Sequence, residues 1–82
     1  MNVYRAYPKG KNRIFYVARK PDASVRMFIL RRVGARRELV LTPAVGEPGV
    51  YAAWVLFERA GKYLLTAYEN NVRTTVLIAE VA

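Results

Sequence analysis

Arg31-Arg32-Val33-Gly34-Ala35-Arg36-Arg37 sets four guanidinium groups around a single glycine. Glycine takes the positive φ that a tight turn needs, and guanidinium forks grip phosphate or carboxylate through paired donors. The spacing predicts a basic hairpin tip carried by Arg31, Arg32, Arg36 and Arg37. Such a ribbon can enter a nucleic-acid groove or seat on an acidic patch of another protein. As plain solvated charge, it would keep a sheet edge from pairing with other chains. A second basic run, Lys9-Gly10-Lys11-Asn12-Arg13, offers Lys9, Lys11 and Arg13 as anion contacts, with Tyr4, Tyr7 and Tyr16 close by for base stacking. No RNA-binding aromatic motif, zinc finger or helix-turn-helix pattern accompanies them. Tyrosines in a β-rich chain are ordinarily core or cross-strand pairs.

Other chemistry is thinly supplied. Cysteine and histidine are absent, and Ser24 is the only serine. No ordinary zinc, haem or iron–sulfur ligand set can be assembled, nor a Ser–His or Cys–His nucleophile pair. The acids Asp22, Glu38, Glu47, Glu58, Glu69 and Glu80 are scattered singly, as solvated charges are, without the clustering that calcium or magnesium requires. Gly46-Glu47-Pro48-Gly49 lacks the Gly-Lys-Ser/Thr ending of a phosphate-binding loop. The expectation is a protein without catalysis, cofactor, metal or small-molecule substrate.

The chain of 82 residues and 9.3 kDa suffices for one domain, residues 1–82. Fourteen Lys and Arg against six Asp and Glu give a net charge of +8. Residues 1–37 carry eleven bases and one acid, and residues 38–82 carry three bases and five acids. One end or face should therefore be strongly positive and favour an acidic partner. Apolar residues make up 54 % of the chain, too many for a disordered basic tail. No run approaches the ~18 apolar residues of a membrane span, and Met1-Asn2-Val3-Tyr4-Arg5 lacks a secretory apolar region.

Pro, Gly and Asn punctuate the chain every six to ten residues, which suits strands. Strands are predicted at Val3–Tyr7, Arg13–Arg19, Val25–Arg32, Arg37–Thr42, Val50–Phe57, Lys62–Glu69 and Val72–Val81, with Asn70-Asn71 as a two-residue hairpin turn. A helix over Arg26–Leu41 is the main competitor, but Gly34 interrupts it and no capping residue lies nearer than Ser24. The fold class is all-β: a small immunoglobulin-like sandwich of about seven antiparallel strands, with a small β-barrel as the alternative.

Pro48-Gly49-Val50-Tyr51 and Phe57-Glu58-Arg59-Ala60-Gly61-Lys62-Tyr63 carry a sharper likeness. The stretch resembles the E–F corner of immunoglobulin-like sandwiches, where Gly-x-Tyr opens a strand. The resemblance implies that the Tyr63 hydroxyl bonds back to the corner backbone and that Leu65 fills the position of an antibody cysteine. Trp54 would lie on the strand before the corner, unlike the antibody tryptophan. The rhythm is similar to accessory modules of surface, periplasmic and phage virion proteins. It implies a capsid decoration or a tail or neck component, located in a virion or the host cytoplasm.

Val50–Phe57 is apolar on both faces, since Val50, Ala52, Trp54 and Leu56 alternate with Tyr51, Ala53, Val55 and Phe57. Trp54, Phe57, Phe28 and Met27 are expected in the core, and Tyr51, Val55 and Phe57 are expected to meet a partner. Apolar character on both faces implies that something covers the second one, either another copy or a larger protein. The leading expectation is a structural docking protein. A small nucleic-acid-binding barrel is the alternative.

Overall fold

Val, Ile, Tyr, Phe and Thr dominate the segments between breakers, and these residues fit a pleated, half-buried surface. The computed structural model describes residues 1–31 and 34–82 and contains eight strands. They are β1 (Asn2–Tyr7), β2 (Gly10–Val17), β3 (Val25–Arg31), β4 (Arg37–Glu38), β5 (Thr42–Pro43), β6 (Val50–Phe57), β7 (Gly61–Glu69) and β8 (Val72–Val81). No helix occurs among the described residues, so Val25–Arg31 is strand and not the start of a helix. One sheet has the order β1-β8-β7-β3-β4 and the other β2-β6-β5.

The two sheets close on one core as a β-sandwich. Ile14 and Tyr16 of β2 and Val55 and Phe57 of β6 face Met27 and Ile29 of β3, Tyr63, Leu65 and Ala67 of β7, and Leu77, Ala79 and Val81 of β8. The Phe57 ring lies 4.9 Å from Tyr63 and 5.5 Å from Tyr7, centroid to centroid, so it bridges both sheets. Along β2 and the residue after it the side chains alternate: Ile14, Tyr16 and Ala18 are buried, and Phe15 and Val17 face out.

Two strand boundaries and one strand direction differ from the sequence reading. The segment Arg37–Thr42 is not one strand. Glu38 pairs with Phe28 in the larger sheet, whereas Thr42 pairs with Ala52 in the smaller one. Between them the chain crosses over the core: Leu39 is buried, Leu41 packs against the cluster and Val40 points outward. The pairing of β1 with β8 is parallel, the one departure from antiparallel order among the described strands. Gly10 to Asn12, read as a turn, already belong to β2 and pair with Phe57 to Val55.

Local signals at the turns hold. Asn70 and Asn71 have φ of 50° and 67°, the left-handed pair that a two-residue hairpin needs. The Tyr63 hydroxyl donates to the Arg59 carbonyl at 2.7 Å, closing the corner between β6 and β7. Leu65 is fully enclosed, as expected for an aliphatic residue at that site.

Candidate docking face

The outer face of the β2-β6-β5 sheet carries the exposed apolar side chains Phe15, Val17, Trp54 and Leu56 beside the cations Lys11 and Arg13. β2 contributes Lys11, Arg13, Phe15 and Val17, since Ile14 and Tyr16 use the other parity to fill the core. Register places Lys11 opposite Leu56, Arg13 opposite Trp54 and Phe15 opposite Ala52. Trp54 is therefore not a core residue. It is 55 % exposed, Phe15 is 63 % exposed, and Leu56 and Val17 also lie open. The expectation that Val55 and Phe57 meet a partner is corrected on the same ground. They point inward at 1 % and 0 % exposure, where no docked surface can reach them. Tyr51 shares their parity and packs half-buried against the core.

Cations border the rings. The Lys11 ammonium lies 5.0 Å from the Trp54 centroid, and the Arg13 guanidinium lies 5.2 Å from Trp54 and 5.6 Å from Phe15. These distances suit cation–π attraction, worth about 0.5–1 kcal/mol each at exposed sites. Lys11 and Arg13 are thus on one face, as two of the expected anion contacts. Lys9 is exposed in the turn before β2.

The basic hairpin divides. Arg31 and Arg37 border a shallow depression with Leu56, Glu58, Arg59 and Tyr63, so the apolar strip on β6 continues into three arginines and one acid. Arg36 goes elsewhere: its guanidinium lies 4.1 Å from the Phe28 centroid. Phe28 is buried, but not in the inter-sheet core. It sits on the outer face of the larger sheet under Arg36, Arg26 and Tyr68. Arg32 lies outside the described residues. The one ion pair among the described residues joins Arg26 to Glu38 at 2.8 Å, through two hydrogen bonds. Those bonds hold the Glu38 carboxyl below the usual range.

One acid departs from the solvated pattern. Glu69 is buried and joins the sheets: it accepts hydrogen bonds from the Tyr16 hydroxyl of β2 and from the Arg19 N–H at 3.0 Å. Burial alone would raise its pKa. The hydrogen bonds from Tyr16 and from the backbone of Arg19 and Lys20 outweigh burial and lower it. Burial and the same contact raise the Tyr16 hydroxyl. Among the described residues, no three His, Cys, Asp or Glu side chains converge as a metal site, and no helix is long and apolar enough to cross a membrane.

The chain matches no family model and no curated protein. The sequence reading missed Phe15, Trp54 and Leu56 as the exposed set. The signal lay in β2: charges at Lys11 and Arg13 mark its outer parity, and the residues opposite them on β6 must share it.

Proposed function

We propose that this protein is a non-enzymatic docking module that holds an acidic protein surface against the outer β2-β6-β5 face. One observation carries the reading. An exposed tryptophan sits between Lys11 and Arg13, on a strip that runs through Leu56 to Arg31 and Arg37. A ring that can be desolvated at the centre with cations around it is the usual composition of a binding hot spot. Apolar burial would supply affinity, and the arginines would supply encounter rate and register. A second copy is the poorer occupant, because an isologous contact would bring Lys11, Arg13, Arg31 and Arg37 against their own kind. The setting we propose is a virion, as a capsid decoration or a tail or neck part, on the strength of the sandwich resemblance.

Single-stranded nucleic acid is the second reading. Trp54 and Phe15 beside Lys11 and Arg13 also have the composition of a stacking platform with phosphate contacts.

Trp54 is the sole tryptophan, so its emission reports on this face. Titration with poly-L-glutamate should quench or shift that emission, part of the response should survive high salt, and Arg31→Ser with Arg37→Ser should weaken it. Binding of a thymidine oligonucleotide, with affinity falling at a log–log salt slope of about −0.7 per phosphate, would favour the second reading. A chain that answers neither probe and stays monomeric by light scattering at both salts would overturn the docking reading.

A further inference from the structure

The two sheets part at one side of the sandwich, between β1 and β2. Among the described residues β1 pairs only with β8 and β2 only with β6, so two consecutive strands end in free edges facing one gap. A cleft of about 350 Å³ opens there. Val3 and Tyr7 of β1 are its half-buried apolar lining, Ile14, Met27, Leu65 and Leu77 line it as buried side chains, and Arg5 of β1 and Arg13 of β2 are its cations. A cavity of about 150 Å³ already accepts a benzene ring, so this one has room for at least one large side chain. Among the described residues no Asp or Glu lines it.

The edge of β2 is regular. Its register with β6 runs unbroken from Gly10 to Val17. The Ala18 N–H donates to the Gly49 carbonyl at 2.8 Å, which fixes the parity of the ladder. Gly10, Asn12, Ile14 and Tyr16 direct their N–H and C=O groups toward β6, and Lys11, Arg13, Phe15 and Val17 direct theirs toward the open edge. Four consecutive outward-directed residues offer donors and acceptors for another strand. Natural edges of this kind are usually shortened, bulged or covered.

We propose that the β2 edge and the adjoining cleft accept an extended segment of another protein in which apolar and acidic residues alternate. A strand added to β2 has period two. Its inward side chains enter the cleft beside Val3 and Tyr7 of β1, so they are apolar. Its outward side chains lie beside Lys11 and Arg13, so they are acidic. The same cations disfavour a second copy: an antiparallel β2–β2 pair would set Lys11 and Arg13 among their counterparts. This proposal shares Lys11 and Arg13 with the Trp54 face but differs from it in using the backbone edge and the inter-sheet cleft.

The test uses the full chain and the peptide acetyl-Glu-Leu-Glu-Val-Glu-Leu-Glu-Val-amide, read by amide hydrogen exchange. Binding should slow exchange at Lys11, Arg13, Phe15 and Val17 by at least tenfold and leave Asn12, Ile14 and Tyr16 near their free rates. Val17→Pro removes an edge donor without touching the β6 ladder, and it should weaken the peptide tenfold or more. A folded Val17→Pro chain that binds as well as the parent overturns the proposal. If that variant fails to fold, the exchange pattern of the parent decides, and protection absent from the four edge amides overturns it. Equal binding of the peptide with Lys in place of Glu also overturns it, as does a peptide-free dimer with the same four amides protected. Trp54 emission is read separately, so an inactive outer face and an inactive edge give different results.

Discussion

Tyr16 on the smaller sheet donates its hydroxyl to the Glu69 carboxylate on the larger one, and the Arg19 N–H donates to the same group. Glu69 is thus an anion enclosed by donors, with its carboxyl held below the ordinary range. A group whose folded pKa is lowered stabilises the fold above its unfolded value, about 4.3 for Glu, and loses that contribution as pH falls through the folded value. Urea midpoints should therefore drop on acidification below about pH 4.3. Glu69→Gln should cost about 1–3 kcal/mol at pH 7 and flatten that acid limb. A parent and a Glu69→Gln chain with parallel pH profiles would refute the assignment.

The Tyr63 hydroxyl ties the β6–β7 corner to the Arg59 carbonyl. Tyr63→Phe keeps the ring against Phe57 and removes only the hydroxyl. The expected loss is about 0.5–1.5 kcal/mol, the usual net worth of one hydrogen bond, read as a lower urea midpoint at unchanged slope. A change in slope would mean that the corner also governs how compact the native or denatured chain is.

How far these features could be read from sequence depended on whether the residues themselves fix the parity. In β2, Lys11 and Arg13 occupy one parity, so Ile14 and Tyr16 on the other could be placed inside without a structure. In β6 both parities are apolar, and nothing within Val50–Phe57 separates Val55 from Trp54. The opposing strand decides it, through Arg13 opposite Trp54 and Ile14 opposite Ala53, and pairing between distant segments is not written in local pattern. Arg37–Thr42 failed for a related reason. Its alternation sends Leu39 and Leu41 inward, but alternation does not say which sheet each half joins. Glu69 reads as a solvated charge in the sequence because its enclosing donors come from residues 16 and 19, about fifty positions away.

Gly49 lies at φ 82°, and a Cβ there would stand 3.1 Å from the Pro21 Cα. Gly46 has φ 75° and open space around it. Both replacements by Ala pay the left-handed backbone penalty, on the order of 1 kcal/mol or more. Only Gly49→Ala also displaces a backbone atom. Thermal melts should rank Gly49→Ala clearly below Gly46→Ala. Equal losses would show that the loop at Pro21 yields freely.

Trp54 and Phe57 sit three residues apart on β6, one facing solvent and one sealed between the sheets. Phe57→Ala empties the centre of the core and should cost about 3–5 kcal/mol. Trp54→Ala, which loses two cation–π contacts of about 0.5–1 kcal/mol each, should cost no more than about 2 kcal/mol. If the outer face docks a partner, Trp54→Ala should instead remove about 2 kcal/mol or more of binding, the loss typical of a hot-spot aromatic. Denaturant melts together with titration of an acidic partner separate the two roles. A Trp54→Ala chain that loses as much stability as Phe57→Ala would place the tryptophan in the core and leave the outer face without its anchor.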